Sequence, residues 1–382
     1  MIIGVSAMGV SQDTPADTGN MHTELLFRMC RQHPEHTFLF FFDRPVSPDF
    51  LFPANVTPII VPLKGPAVWR RQWWLQWQLP RALKKHRVDL FLGMDGMLSL
   101  RSKIPAVLFL KDLSFLQPVA GVPQQWQRFF KKEAVKYIAS AKKIVLPGAH
   151  LEQPLLQYAP AAAGKVQAIP AGIHESYQPL DWEQREVVKK LYTGGTEFFL
   201  VTGPLDPRNN IMPLLKAFSA LKRRQRSNMK LVLAGKVTVA GQEIANSLQT
   251  YKFRQDVVLL PDLDQPSLAS LTAAAYAMVY TTRLEGAALP VYAALRCQVP
   301  VIAIDGPAAR EAGKDALLYA DPENLADLAE KLSLLYKDEV QRSRQLQQMA
   351  ELPLPGSWEK SAEALFNVLM CKYADVQMDQ SE

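Results

Sequence analysis

Continuous apolar runs constrain the fold of this chain more than any other feature of its sequence. Each run places apolar residues at successive positions rather than at alternate ones, and stretches with helical spacing separate the runs. A strand that is apolar throughout is buried on both faces, which is typical of a parallel sheet covered by helices on each side. The sequence therefore predicts an α/β fold with doubly wound parallel sheets. The predicted strands span residues 1–7, 37–43, 56–62, 88–93, 106–111, 143–147, 165–170, 198–203, 230–234, 257–261, 277–281, 299–304 and 316–320.

The length of the chain and one break in this pattern indicate two domains. At 382 residues the chain is too long for a single small core. A polar stretch at residues 176–186 is predicted to link a Rossmann-like domain at residues 1–175 to a second one at residues 188–350. An amphipathic helix then occupies the segment at residues 356–373. Two α/β halves of this kind predict a ligand cleft between them, at the carboxyl ends of the strands.

The composition is that of a globular protein and gives no sign of a nucleic-acid partner. Apolar residues make up 48% of the chain and charged residues 21%. The net charge of +6 suits phosphorylated substrates or an anionic membrane surface without demanding nucleic acid. No apolar run reaches the roughly 20 residues of a membrane-spanning helix, and the N-terminus enters a strand without a basic signal-peptide region. The three cysteines are far apart and show no disulfide or metal spacing, so we expect a cytoplasmic protein.

Two nucleotide-dependent classes are excluded by missing motifs. No Gly-x-Gly-x-x-Gly follows the first predicted strand, which argues against a dinucleotide-binding enzyme. No Gly-x-x-x-x-Gly-Lys-Ser/Thr is present, which argues against a phosphate-loop NTPase. A paired-histidine metal motif is also missing from the sequence.

The stretch at residues 281–322 carries the strongest functional pattern. Glu285 stands just before three small residues, and Pro290 opens a helix that we expect to end near Gln298. Small residues let a ligand approach the backbone closely, and free N–H groups at a helix start favour an anion. Glu285 would then accept hydrogen bonds from ligand hydroxyls. The alternative is an ordinary connection between a strand and a helix. The small residues are Gly286, Ala287 and Ala288.

A second candidate phosphate site lies at residues 201–211. A predicted strand ends at Gly203, and a turn containing Arg208 and Asn209 leads into a helix. Backbone N–H groups beside a guanidinium suit phosphate oxygens. The alternative is a plain turn with a solvated arginine.

These two stretches resemble the donor site of family 4 retaining glycosyltransferases, which have the GT-B fold. The family signature Glu-Gly-Phe-Gly-Leu-Pro corresponds to Glu285 through Leu289 and Pro290 here, and Pro300-Val301-Ile302 and Arg310-Glu311-Ala312-Gly313 also fit. The resemblance covers nearly the whole chain. It implies two Rossmann-like domains facing a central cleft, with the C-terminal helix crossing back to the first domain. It also implies a nucleotide-sugar co-substrate and no requirement for a metal or other cofactor.

The resemblance assigns donor contacts residue by residue, and several positions depart from the family pattern. The family's second signature Glu, on the donor ribose, is Ala293 here, and its diphosphate-binding Lys is Asn209. Gly19 matches the Gly-rich loop over the phosphates, although Asp17 replaces a second Gly; a polar surface loop is the alternative. Lys111 replaces the sugar-contacting His and would take its catalytic place beside Glu285, unless it only caps a strand end. The predicted donor-binding set is Gly19, Gly203, Arg208, Asn209, Gly286, Ala287, Ala288, Leu289 and Ala293, with Glu285 and Lys111 as the catalytic residues.

A tryptophan-rich segment runs from Val68 to His86. Trp69, Trp73 and Trp77 recur at four-residue spacing, and basic residues flank them. Such a helix could lie peripherally on a membrane where a lipid-linked acceptor is found, at the inner face if the protein is cytoplasmic. The alternative is a helix that buries its aromatic face in the first domain.

The sequence thus predicts a retaining, hexosyltransferase-type enzyme that moves a sugar from a nucleotide-diphosphate sugar to a glycan or lipid-linked acceptor. The departures all weaken the donor site, since one lost charged hydrogen bond costs roughly 1.5–3 kcal/mol. The alternative is therefore a catalytically degenerate glycosyltransferase-fold protein that acts as a binding or partner subunit.

Overall fold

A computed structural model describes residues 1–8, 21–47, 50–63, 65, 68–117, 124–282, 286–354 and 356–379 of the chain. They form two compact units. The first unit holds the described residues up to Gly172 together with those from Gly356 onward, and the second holds those from Ile173 to Leu354.

The first unit is built on a seven-stranded sheet with the order β3-β2-β1-β4-β5-β6-β7. All of its strand pairs are parallel. The successive apolar residues are buried as predicted, because helices cover both faces of the sheet; Phe38, Phe40 and Phe41 of β2 have no exposed surface. The strands are β1 Ile2–Ser6, β2 Thr37–Phe42, β3 Val56–Ile60, β4 Leu90–Gly93, β5 Ala106–Phe109, β6 Lys143–Leu146 and β7 Val166–Ala168.

The second unit is built on a six-stranded sheet with the order β10-β9-β8-β11-β12-β13, again parallel throughout. Its core lies on both faces of the sheet, with Phe198 facing one cluster of apolar side chains and Phe199 the other. The strands are β8 Phe198–Thr202, β9 Lys230–Ala234, β10 Val257–Leu260, β11 Ala277–Tyr280, β12 Val301–Ile304 and β13 Leu318–Ala320.

Helices connect the strands and complete the doubly wound arrangement. In the first unit they are α1 Met21–Gln32, α2 Val68–Trp73, α3 Leu79–Lys85, α4 Gln124–Ser140, α5 Glu152–Tyr158 and the C-terminal α14 Trp358–Asp379; a π-helix at Trp74–Gln78 joins α2 to α3. In the second unit they are α6 Trp182–Thr193, α7 Ile211–Gln225, α8 Gln242–Thr250, α9 Gln265–Ala274, α10 Leu289–Arg296, α11 Pro307–Gly313, α12 Leu325–Lys337 and α13 Glu339–Ala350.

The fold class is as predicted, and all of the predicted strands are present, shortened by a few residues at most. The prediction of a polar linker at residues 176–186 is wrong for its second half, which is helical. Asp181 forms a capping box with Gln184, which satisfies backbone N–H groups at the helix start, so helix α6 begins at Trp182. No helix among the described residues is long and apolar enough to cross a membrane.

The C-terminal helix α14 belongs to the first unit and lies against α1. Trp358 is buried at its start, and the Ser361 hydroxyl donates a hydrogen bond to the Pro170 carbonyl at 2.6 Å. The ring of Phe366 stacks on His33 with the ring centroids 3.4 Å apart. Arg28 of α1 forms an ion pair with Glu359. The chain can approach this closely because Gly172 carries no side chain: a Cβ there would collide with backbone atoms of Ser357 and Trp358.

We expect Gly172→Ala to destabilise the first unit by about 1–3 kcal/mol, the usual cost of overpacking a rigid site. The colliding atoms belong to the backbone of Ser357 and Trp358, so the start of α14 has to shift away from residue 172. Thermal unfolding and limited proteolysis of the C-terminal segment measure the effect. Gly356→Ala is the control, because a Cβ at that position would meet only the flexible side chain of Lys360. Unchanged melting and unchanged protease resistance in Gly172→Ala would contradict this account of the docking.

Candidate functional site

The order of the strands in the second unit marks one place for a ligand. From β8 the chain proceeds to β9 on one side of the sheet, whereas β11, the other neighbour of β8, leads to β12 on the opposite side. The crevice outside the carboxyl ends of two such strands is where open α/β sheets bind ligands. The loop that leaves β8 at Gly203 and the loop that leaves β11 at Thr281 border this crevice, and together they hold most of the predicted donor-binding residues.

The loop after β8 is held in shape by Asp206. Its carboxylate accepts hydrogen bonds from the backbone N–H of Arg208 at 3.0 Å, from the Arg208 Nε at 2.9 Å and from the Thr238 hydroxyl at 3.1 Å. Burial raises the pKa of Asp206, but the hydrogen bonds from Arg208 and Thr238 outweigh it and hold the pKa below its usual value. Asp206 is therefore ionised at neutral pH and fixes the Arg208 guanidinium, whose side chain remains 47% exposed.

Gly203 allows this loop to leave the strand. Its φ of +108° lies in a region that side chains rarely adopt. Its carbonyl also meets Gly235, which follows β9, so closely that a Cβ on Gly235 would collide with it. The loops after β8 and β9 are thus in tight contact, which keeps the backbone N–H groups of this edge in fixed positions.

Asn209 joins the two loops that border the crevice. It is only 8% exposed. Its amide donates a hydrogen bond to the Pro204 carbonyl at 2.6 Å, and its side-chain oxygen accepts one from the Thr282 hydroxyl at 3.0 Å. The Thr281 hydroxyl donates to the Asn209 carbonyl, and the neighbouring Asn210 amide donates to the Thr281 carbonyl at 2.8 Å. The residue that stands in place of the family's lysine therefore ties the loops together.

The small residues before α10 lie at the same edge. Gly286 and Ala288 are buried and Ala287 is half-buried. Helix α10 starts at Leu289 with Pro290 in its first turn, as the sequence predicts, and it ends at Arg296. The N–H groups of its first turn have no partner within the helix, and the helix dipole adds a partial positive charge there. This end of α10 suits an anionic group. Ala293 lies one turn further along and is only 6% exposed.

Arg310, part of the match to the family, has a structural role. Its guanidinium binds both oxygens of Asp305 at 2.7 Å, and its Cζ lies 3.7 Å from the centroid of the Tyr319 ring. The hydrogen bonds from Arg310 lower the pKa of Asp305. This fork closes the loop after β12 rather than leaving a cation for a ligand.

In the first unit, Lys111 follows β5 and is exposed. Asp112 beside it accepts hydrogen bonds from the backbone N–H of Ser114 at 2.9 Å and from the Ser114 hydroxyl at 2.5 Å, so it caps the next turn. His22 of α1 packs edge-on against Phe109 at the end of β5, with the ring centroids 5.7 Å apart. Two predicted residues, Glu285 and Gly19 with its neighbour Asp17, lie outside the described residues, and their roles stay predictions.

The structure thus brings Gly203, Arg208 and Asn209 together with residues 286–289 and Ala293 in the second unit, and places Lys111 in the first. Sequence reasoning missed Asp206 and the two threonines, Thr238 and Thr282. An aspartate two residues before an arginine, in a turn that follows a strand, was the signal for Asp206. Among the described residues, no cluster of three or more His, Cys, Asp or Glu side chains forms a metal-ligand set.

The structure contradicts one of the two interpretations of the tryptophan-rich segment. Trp69, Trp73 and Trp77 are 66%, 50% and 40% exposed, so the alternative in which the helix buries this aromatic face is wrong. The neighbouring Trp74 is fully buried instead, and its indole N–H donates to the Val61 carbonyl at 2.5 Å. Membrane contact through this segment stays a prediction.

Comparison with known proteins identifies the class of enzyme to which this fold and crevice belong, namely the glycosyltransferases. The model of glycosyl transferases group 1 matches residues 183–352, and that of glycosyltransferase family 4 matches residues 21–177. The chain belongs to the group 1 glycosyltransferases of the family 4 type. It is 27% identical over 307 residues to the O-antigen chain mannosyltransferase B of Escherichia coli, covering 78% of this chain and 76% of that protein.

Solved structures confirm the two-unit fold, which is of the GT-B type. WaaG, a glycosyltransferase involved in lipopolysaccharide biosynthesis, superposes with a TM-score of 0.75 at 17% identity, covering 95% of this chain and 99% of WaaG. Sucrose-phosphate synthase from Thermosynechococcus elongatus superposes with a TM-score of 0.77 at 16% identity, covering 98% of this chain and 99% of that one. At these identities the likeness concerns the fold alone.

We expect Asn209→Lys, which restores the family's residue, to destabilise the second unit by about 1–3 kcal/mol, because it leaves buried hydrogen-bonding partners unpaired. The affinity for nucleotides should not improve, because the two loops that the Asn209 side chain joins would separate. Denaturant unfolding and calorimetric titration with nucleoside diphosphates measure both. Asn246→Lys, on the exposed surface of α8, is the matched control. Tighter nucleotide binding at unchanged stability would contradict the role given to Asn209.

Proposed function

We propose that this enzyme transfers a hexosyl group, with mannose as the first candidate, from a nucleoside-diphosphate sugar to a glycan acceptor of the O-antigen kind, with retention of configuration. The observation that carries the proposal is the crevice in the second unit. There the loop with Arg208 and the N-terminus of α10 border the point where the strand order reverses. The relative named as an O-antigen chain mannosyltransferase supports the sugar and the acceptor.

The crevice offers what departure of a nucleoside diphosphate requires. Negative charge develops on the leaving diphosphate, and preoriented N–H groups stabilise such charge without reorganising. The first turn of α10, preceded by the small residues Gly286 to Ala288, can supply those groups, and Arg208 stands on the other side of the crevice. In this proposal Glu285 accepts hydrogen bonds from the hydroxyls of the donor sugar, and Lys111 contacts the reacting sugar. No metal takes part in this scheme.

We further propose that the enzyme works in the cytoplasm, at the inner face of the membrane when its acceptor is lipid-linked. Cys30, Cys297 and Cys371 are free thiols, which fits a reducing compartment. Burial raises the pKa of Cys297 to about 12, so that thiol stays protonated and is not a nucleophile.

Calorimetric titration with UDP, GDP and ADP, and with their mannose and glucose conjugates, tests the donor. We expect micromolar binding of one nucleotide, which names the donor class. Product analysis of the anomeric linkage then tests retention. If none of these ligands binds at millimolar concentrations, the proposal is overturned and the alternative of a glycan-binding partner protein is favoured.

A charge-removing variant tests the crevice itself. We expect Arg208→Gln to weaken binding of the preferred nucleoside diphosphate by about tenfold, since a hydrogen bond to a charged group contributes about 1.5–3 kcal/mol. Arg224→Gln, an exposed arginine near the far end of α7, is the matched control and should bind as the parent protein does. Equal affinities of the two variants would remove Arg208 from the donor site.

A further inference from the structure

An open groove on the first unit lies apart from every residue discussed as a donor contact. It runs between the helical segment from Val68 to Lys85 and helix α4, and its volume is about 460 Å³. This volume is within the range of small-ligand sites. The lining residues are Gln72, Trp73, Gln76, Trp77, Arg101, Phe129 and Glu133.

The local helix geometry turns two indoles outward into this groove. The π-helix at Trp74–Gln78 follows Trp73 directly, and Trp74, Leu75, Leu79 and Leu83 all face the core. Trp73 is left 50% exposed and Trp77 40% exposed. Short π-helical insertions of this kind occur frequently at functional sites. Exposed apolar groups that share a concave surface with polar groups are typical of a binding site.

The polar walls of the groove are fixed in place. The Gln76 side-chain oxygen accepts a hydrogen bond from the Leu100 N–H at 2.8 Å, and the Gln72 amide donates to the Tyr137 hydroxyl at 3.1 Å. The Arg101 guanidinium lies over Trp77, with its Cζ 3.6 Å from the ring centroid. The Gln76 amide also donates to the Gln72 side-chain oxygen at 3.5 Å and to the Leu98 carbonyl at 3.4 Å. A carboxamide has two N–H groups and an oxygen with two lone pairs, so one N–H of Gln72 and one lone pair on each side-chain oxygen remain for a ligand.

This combination of groups fits a sugar ring. A pyranose has an apolar face of C–H groups, which packs on an aromatic ring, and a rim of hydroxyls, which both donate and accept hydrogen bonds. Trp73 supplies an exposed aromatic face, Gln72 and Gln76 supply amides, and Glu133 supplies a carboxylate. Lining groups of both charge signs, Arg101 and Glu133, favour a neutral ligand over an anion.

The groove also leads toward the expected reaction end of the first unit. Helix α2, at one end of the segment, lies near the carboxyl edge of the sheet, since the Arg71 Nη1 is 3.9 Å from the Met8 sulfur just after β1. The order of the strands reverses between β1 and β4 at this edge. A glycan whose end lies there can extend along the groove.

We propose that the groove binds the acceptor glycan as a neutral oligosaccharide, with Trp73 as its stacking platform, at sugar units remote from the one that reacts. The proposal rests on the glycan acceptor given above under the proposed function. The groove would bind sugar units of the glycan that do not react, and it has no catalytic role.

The same tryptophans were predicted from sequence to meet a membrane, and the structure favours the glycan. An interfacial helix presents a continuous apolar face to lipid and keeps its polar groups on the other side. Here the indoles of Trp73 and Trp77 share a concave surface with two glutamines and a glutamate. Trp69, the most exposed of the three, is not among the lining residues.

Binding of mannose oligosaccharides of one to six units, titrated into the full chain without any nucleotide, tests the proposal. We expect affinity to rise with oligosaccharide length and Trp73→Ala to weaken binding by about tenfold, the loss typical of removing an aromatic anchor. Trp73→Phe, which keeps an aromatic face, should retain most of the affinity. Trp182→Ala removes a 74% exposed tryptophan from the second unit and is the matched control. Equal affinities in the Trp73→Ala and Trp182→Ala variants, or no binding of any length, would overturn the proposal.

Two further measurements distinguish the glycan site from membrane binding and from the proposed donor chemistry. Sedimentation with vesicles of phosphatidylglycerol and phosphatidylethanolamine tests the membrane: vesicle binding that Trp73→Ala abolishes, without oligosaccharide binding, would assign the surface to lipid and overturn the glycan site. The nucleotide titrations are independent of the groove, so a silent nucleotide panel with Trp73-dependent oligosaccharide binding would remove the proposed donor chemistry and leave the glycan site standing. Thermal unfolding of Trp73→Ala checks that the variant is folded; since that side chain is half exposed, its removal loses only part of the burial of a core indole.

Discussion

Parallel pairing of every strand is the constraint on which the rest of this structure depends. Parallel neighbours require a crossover between consecutive strands, so helices cover both faces of each sheet and the loops that leave the strand ends gather at one edge. The helices begin at that edge, and the N–H groups of their first turns have no partner within the helix. In the second unit, the edge gathers the loop of Asp206 and Arg208, the small residues from Gly286 to Ala288, and the start of α10. The candidate chemistry therefore lies where the hydrogen bonding of the fold is incomplete.

The same constraint explains how much the sequence could predict. Burial on both faces requires apolar residues at successive positions, and this local signal predicted the strands. It also identified Gly203, Arg208 and Pro290, because each follows the end of a strand. Long-range partners left no such signal: Asn209 binds Thr282, which is 73 positions away. The sequence also could not predict which tryptophans of the tryptophan-rich segment are exposed. Trp73 and Trp74 are adjacent, and only packing in three dimensions decides which of them is buried.

The contacts of Arg208 and Asn209 change the meaning of the departures from the family signature. Arg208 is paired with an ionised Asp206, so the two side chains together carry no net charge. Asn209, where the family has a lysine, uses its side chain for hydrogen bonds that join two loops. Attraction of a diphosphate by side-chain charge is therefore weaker here than the family pattern implies. In the proposed function, oriented backbone N–H groups therefore carry the larger share, and the contacts of Asp206, Asn209 and Gly203 hold the loops that present them.

A donor site with reduced charge places more of the demand for affinity on the acceptor. Binding energy from parts of a substrate remote from the reacting atoms can be used to position the reacting end. A groove lined by Trp73, Gln72 and Gln76 offers such energy to a neutral polymer, and it does so through stacking and hydrogen bonds rather than charge. Each added sugar unit that reaches the groove increases the contact area without changing the reacting end. Under both proposals the enzyme would favour glycan chains over single sugars, because only a chain can occupy the groove and the carboxyl edge of the first sheet together.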